Sequence, residues 1–206
     1  GGSSINTTFG TAKSSSAFTN TGGTGSKTWS VETVTPTSTA NTSGFSISNG
    51  VVTVASNVPV DTYSVVIRAT DSVGYKAETT VVIRVNDSIT ISGGDTRLVT
   101  TRGKAIQSAA FATASGTGTK TFSFTTSVTG ITIGASDGIV RVASTTAAGT
   151  YNMTIQSTDQ AGSVRTTSIQ IIVNREVSVT GPSTLTTTES ILLRTSSRFT
   201  WLYGTD

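Results

Sequence analysis

The chain has 206 residues, 34% of them hydrophobic and 12% charged, with 14 basic residues against 11 acidic ones and neither histidine nor cysteine. That composition excludes disulfides, thiolate zinc sites, cysteine nucleophiles and any Ser-His-Asp triad. The basic residues are scattered with no stripe beside stacking aromatics, and no apolar run nears the roughly 20 residues of a membrane helix, so neither nucleic-acid binding nor membrane insertion is expected.

Low charge, three prolines and alternating runs of Val and Ile favour strands over disorder. The Gly1-Gly2-Ser3-Ser4 start shows no signal peptide, so secretion would require one removed from, or lying ahead of, this segment. Ile5-Asn6-Thr7-Thr8 opens a first block. Gly10 to Phe18, followed by Gly22-Gly23-Thr24-Gly25-Ser26-Lys27-Thr28-Trp29-Ser30, comes next, and then a Thr- and Ser-rich insert over Thr33 to Ser43. Asn49-Gly50 between short apolar runs is a hairpin signal. Tyr63, Val65, Ile67 and Ala69 share one strand face, and Val81, Ile83 and Val85 continue it on the next strand. Asp71-Ser72-Val73-Gly74 joins those two strands as a turn that the aspartate caps.

The same order then recurs. Gly103 to Phe111 and Ser115 to Ser123 copy the first block at an offset of 93 residues, placing Phe122 on Trp29. Past the insert the offset is 88, with Asp137-Gly138 on Asn49-Gly50, Tyr151 on Tyr63, Asp159 on Asp71 and Asn174 on Asn86. Trp29 and Phe122 fall at the core aromatic position of a sandwich, and the two tyrosines at a tyrosine corner. The fold class expected is all-β: tandem immunoglobulin-like (cadherin-like) β-sandwich modules of about seven strands each. Module 1 covers residues 1–86 and lacks its first strand, because only module 2, residues 87–174, carries Ile89 to Gly94 ahead of its Leu98 to Thr101. Residues 175–206 begin a third copy or form a strand-donating tail: Val177 to Gly181 matches Ile89 to Gly93, and after Glu189 the repeat stops.

Gly-Gly-Thr-Gly-x-x-x-Trp-Ser, Gly-Phe-x-Ile, the Gly-Val strand and x-Thr-Tyr running to Ala-Thr-Asp-x-x-Gly make residues 5–174 resemble the bacterial Ig-like, cadherin-like (dystroglycan-type) repeats of large secreted surface proteins and adhesins. Module 2 has the Ala148-Gly149-Thr150-Tyr151 run of that family, whereas module 1 has Val60-Asp61-Thr62-Tyr63, and the tail after Glu189 departs from it. The resemblance implies an extracellular, cell-surface location and a structural or adhesive role with no enzyme activity. The eleven acids are dispersed, with none in a recognisable catalytic motif.

Cadherin-like linkers bind calcium between modules, which makes Asp71, Asn86 and Asp87 the candidate ligands here; otherwise no cofactor is expected, and Asp71 and Asp159 simply cap turns. The expected partners are neighbouring copies or adjacent Ig-like modules. A sandwich short of one strand can accept a strand from another chain, so the chain is read as a possible head-to-tail filament subunit assembled by β-strand complementation. Its contact residues would be Val177, Val179, Leu185, Ile191, Leu193, Phe199, Trp201 and Tyr203. The competing readings are a glycan-binding accessory module, for which Trp201 and Tyr203 are the clearest aromatic pair outside the repeats, and a phage or virus decoration domain.

Overall fold

The structure is a computed structural model that describes residues 2–36 and 42–181. Residues Gly1–Glu176 form one compact unit and Val177–Asp206 a second. The first unit is all-β. Module 1 is built from β1 (Ser4–Thr8), β2 (Lys13–Ser14), β3 (Lys27–Thr35), β4 (Phe45–Ser48), β5 (Val51–Val54), β6 (Asp61–Asp71) and β7 (Lys76–Asn86). Module 2 is built from β8 (Thr90–Gly93), β9 (Arg97–Thr101), β10 (Ile106–Gln107), β11 (Phe111–Ala114), β12 (Lys120–Phe124), β13 (Ile131–Ile133), β14 (Val140–Val142), β15 (Gly149–Asp159) and β16 (Val164–Asn174). Module 2 thus has nine strands where about seven were expected, because β8 with β9, and β10 with β11, are single runs broken where the chain crosses between sheets.

Each module packs a four-stranded sheet on a smaller one. In module 1 these are β3-β6-β7-β1 and β4-β5-β2; in module 2, β12-β15-β16-β9 faces β13-β14-β10, with β11-β8 as a separate pair. The expected alternation builds the cores. Tyr63, Val65, Ile67, Val81 and Ile83 are fully buried on one face of β6 and β7, and Met153, Ile155, Ile169 and Ile171 do the same on β15 and β16. The corner tyrosines behave as the fold requires: Tyr63 Oη donates to the Pro59 carbonyl at 3.0 Å and Tyr151 Oη to that of Ala147 at 2.9 Å.

Asn49-Gly50 makes a two-residue hairpin with φ of 47° and 75°, joining Ser48 to Val51 across the register. Asp137-Gly138 does not: the register closes only at Ile133 with Val140, leaving a wider loop that Asp137 ties by accepting from the Ile139 amide and the Arg141 guanidinium.

The modules differ at one edge. In module 2, β11 pairs antiparallel with β8, Phe111 opposite Gly93 and Ala114 opposite Thr90. The matching segment of module 1, Phe18 to Thr21, pairs with no strand among the described residues. Its consequence reaches the core. Phe111 and Phe122 are 4% and 7% exposed, whereas Phe18 and Trp29 are only half-buried beside a groove that also touches Ile67, Ala69 and Ala77. Trp29 is therefore a partly covered aromatic, because no strand among the described residues lies over it.

Candidate functional site at the junction between modules

Asp159 ends β15 and opens the turn to β16. Its Oδ1 accepts the amides of Ala161 and Ser163, both at 2.9 Å, so the carboxylate first of all caps its own turn. Its Oδ2 accepts the Thr117 amide at 2.8 Å and, from module 1, the Thr8 hydroxyl at 2.5 Å. Thr8 closes β1, which runs parallel to β7 and so carries Thr8 to the same end as Asn86. Asn86 Nδ2 donates to the Thr7 carbonyl at 3.1 Å and to Thr117 Oγ1 at 2.9 Å. Thr8 Oγ1 and Thr117 Oγ1 lie 2.8 Å apart.

These bonds define their own direction. Thr8 has one hydroxyl hydrogen and it goes to Asp159, so Thr117 donates to Thr8 and accepts from Asn86. The result is a relay in which each donor polarises the next, ending on a carboxylate. It is buried: Thr8, Asp159 and Thr117 are 0%, 5% and 8% exposed. Two more contacts frame it. The Gly116 amide donates to the Asp87 carbonyl at 2.8 Å, and Ile89 beyond it is buried. Gly116 has φ of +69°, and a Cβ there would lie 2.8 Å from Ile89 and 2.9 Å from Asp159 Oδ2, so the position needs glycine.

Burial works to raise the Asp159 pKa, but the Thr8 hydroxyl and the amides of Thr117, Ser163 and Ala161 outweigh it and hold the carboxyl below its ordinary value. Asp71 is also held low, chiefly by the Thr24 amide, with burial opposing and the Tyr75 and Val73 amides and Lys27 helping. Asp137 is lowered first by its bond to Arg141 and then by the Ile139 amide.

The calcium candidates do not come together. In the β6–β7 hairpin Asp71 follows Thr70, which faces Lys76 at one end, while Asn86 follows Val85, which faces Asp61 at the other. Ten residues of strand separate the two ends, about 30 Å. Asn86 spends its amide on Thr7 and Thr117, and the Asp87 carbonyl accepts from Gly116. Among the described residues no three acidic, His or Cys side chains gather closely enough to hold an ion. The Asp159 carboxylate is already engaged by four donors, and Asp61 and Asp87 line an open groove together with Arg84, whereas calcium wants six to eight oxygens, usually with several charges. The donor set does not fit calcium.

Sequence reasoning identified the turn-capping role of Asp71 and Asp159 but missed Thr8, Thr117 and the interdomain role of Asp159. The available signal was the recurrence of Thr24 and Asp71 as Thr117 and Asp159. Of the expected contact residues, Val177 and Val179 are 92% and 95% exposed. Leu185, Ile191, Leu193, Phe199, Trp201 and Tyr203 lie outside the described residues.

No protein-family model and no curated protein sequence matches the chain. Among solved structures, extracellular domains 3-5 of Drosophila OTK align with a TM-score of 0.42 at 14% identity, covering 83% of this chain and 59% of that one. Extracellular cadherin domains 1-4 of protocadherin gamma B7 align with a TM-score of 0.38 at 12% identity, covering 85% and 50%. The human desmocollin-1 ectodomain aligns with a TM-score of 0.36 at 11% identity, covering 72% and 33%, so the chain spans between 33% and 59% of the length of these three structures. The likeness is a distant one of fold alone: an all-β chain of two sandwich modules, similar to tandem cadherin domains.

Proposed function

We propose that this chain is a structural or adhesive repeat segment of an extracellular, bacterial surface protein, and that copies join end to end by β-strand addition. The observation that carries the first half is the buried relay from Asn86 through Thr117 and Thr8 to Asp159. It makes two sandwiches into one compact unit and fixes their mutual orientation, which is what a stalk or filament segment needs. The perturbed carboxylates support the same reading. Asp71, Asp137 and Asp159 are all pushed down by amide, hydroxyl or guanidinium donors, whereas a general acid needs its pKa raised toward neutrality.

The strand addition is supported by the open edge at Phe18–Thr21. Its counterpart in module 2 is filled by β8, and Val177–Gly181 repeats the β8 pattern with both valines exposed. The proposed occupant is Val177–Gly181 of a second copy, lying over Phe18 and Trp29 as β8 lies over Phe111. Negative-stain electron microscopy of the concentrated chain tests it. Linear chains of copies are expected, and removing residues 177–206, which lie outside the compact unit of residues 1–176, should abolish them. Chains of unchanged length after that deletion would rule out strand addition.

A further inference from the structure

The turn that receives module 1 in the junction is built a second time, at the far end of module 1. Thr24 donates its amide to Asp71 Oδ2 at 2.8 Å, as Thr117 does to Asp159 Oδ2. Asp71 Oδ1 accepts the amides of Val73 and Tyr75 at 3.1 and 2.8 Å, as Asp159 Oδ1 accepts those of Ala161 and Ser163. The Ser72 amide bonds the Thr24 carbonyl at 3.1 Å, and the Gln160 amide bonds that of Thr117 at 3.0 Å. Only the fourth bond to the carboxylate differs: Asp159 Oδ2 takes the Thr8 hydroxyl, and no hydroxyl from another module reaches Asp71 among the described residues. The surroundings differ accordingly. Ala161 in the occupied turn is 9% exposed, whereas its counterpart Val73 is 72% exposed and the neighbouring Tyr75 73%.

The complementary half is built a second time as well, at the far end of module 2. Thr101 and Asn174 stand where Thr8 and Asn86 stand in module 1. Arg102 bonds the Asn174 carbonyl at 2.9 Å as Phe9 bonds that of Asn86 at 2.8 Å. Lys104 bonds the Thr101 carbonyl at 3.0 Å as Thr11 bonds that of Thr8 at 2.9 Å. Thr100 Oγ1 donates to the Lys104 carbonyl at 3.0 Å as Thr7 Oγ1 donates to that of Thr11 at 2.8 Å. Thr8 is fully buried, Thr101 is half-buried and Asn174 is exposed.

We infer that the Asp71 turn of module 1 is a preformed docking site for the Thr101–Asn174 tip of a second copy of this chain. In the docked state the Thr101 hydroxyl donates to Asp71 Oδ2, the Asn174 amide donates to the Thr24 hydroxyl, and Val73 and Tyr75 are covered. The internal junction supplies the template for each of these contacts. The interface is heterologous, one kind of end meeting the other, so each added copy presents a fresh end and association does not stop at a two-fold dimer. This inference rests on the end-to-end reading above and adds a second, side-chain contact to the strand addition.

Sedimentation velocity on the whole chain over a concentration series tests it, using Thr101→Val at the tip, Val73→Asp in the docking turn and Val179→Asp in the donated strand. All three positions are exposed or half-buried, so thermal melts of the variants should match the parent. The parent is expected to self-associate with concentration, and Thr101→Val and Val73→Asp should each weaken association by about tenfold or more. Mixing those two variants leaves one sound tip and one sound docking turn, so a dimer that grows no further is expected. If the parent stays monomeric throughout, this inference and the end-to-end reading fall together. If the parent associates and Val179→Asp abolishes it while Thr101→Val and Val73→Asp have no effect, only the docking turn is overturned. A mixture that gives no dimer likewise overturns it.

Discussion

Ser157 is fully buried on the inward face of β15, and its hydroxyl is a buried side-chain oxygen with no hydrogen-bond partner. The equivalent position in module 1 is Ala69. A buried hydroxyl that has lost water without gaining a partner costs about 1–3 kcal/mol. Ser157→Ala is therefore expected to stabilise the protein by about 1 kcal/mol, read as a higher urea midpoint at unchanged slope; a lower midpoint would contradict the assignment. Residue identity was legible elsewhere too: the period-two alternation named Tyr63, Val65, Ile67 and their neighbours as core, and the structure buries them. Trp29 was not legible in the same way. Its type fits a core position, but its half-burial depends on whether another strand lies over Phe18, and that is not a property of its own strand.

At the scale of elements, the two equivalent Gly turns show where local chemistry suffices. Asn49-Gly50 sits between strands that meet directly at Ser48 and Val51, so residue preference for positive φ decides the turn. Asp137-Gly138 has the same chemistry, but Asp137 is drawn to Ile139 and Arg141 and the Gly138 amide bonds the Gly134 carbonyl at 3.0 Å, so the loop widens. Both glycines keep a second duty. Gly50 has φ of +75°, and a Cβ there would lie 2.3 Å from the Phe18 carbonyl oxygen, with Gly138 placed alike on Phe111. Gly50→Ala combines left-handed strain with a backbone clash and is expected to cost about 2 kcal/mol or more, measured by urea unfolding. A loss below about 0.5 kcal/mol would mean that the Phe18 segment yields freely.

At the scale of the whole molecule, the junction should respond to acid. The Asp159 carboxyl is held below its unfolded value, so its contribution is present above the ordinary aspartate range and is lost as pH falls through the lowered value. Protonation removes the charge that the Thr8 hydroxyl and three amides stabilise. As pH falls from neutral through that lowered value the two modules are expected to reorient more freely, seen as divergent rotational correlation times by NMR relaxation. Asp159→Asn should show that freedom already at neutral pH. Modules that still tumble together in Asp159→Asn would refute the relay as the tether. Removing the Thr8 hydroxyl with Thr8→Val should have the same effect at neutral pH and lower stability by about 1.5–3 kcal/mol, the range for a hydrogen bond to a charged acceptor.

The repeat, the strand alternation, the corner tyrosines and the capping aspartates were all determined by the sequence itself. Each rests on residues close together in the chain: a period of two, a turn residue with a preferred φ, a side chain bonding amides two and four positions on. The junction was decided only by the tertiary structure. Asp71, Asn86 and Asp87 looked like one cluster because they are near in sequence, yet an antiparallel hairpin carries Asp71 to the opposite end of the module from Asn86. Thr8 and Asp159 are separated by 151 residues and share a hydrogen bond, because parallel β1 delivers Thr8 to the end of module 1 that meets the β15 turn. Strand direction and register, which no local pattern encodes, determine which end each polar side chain reaches.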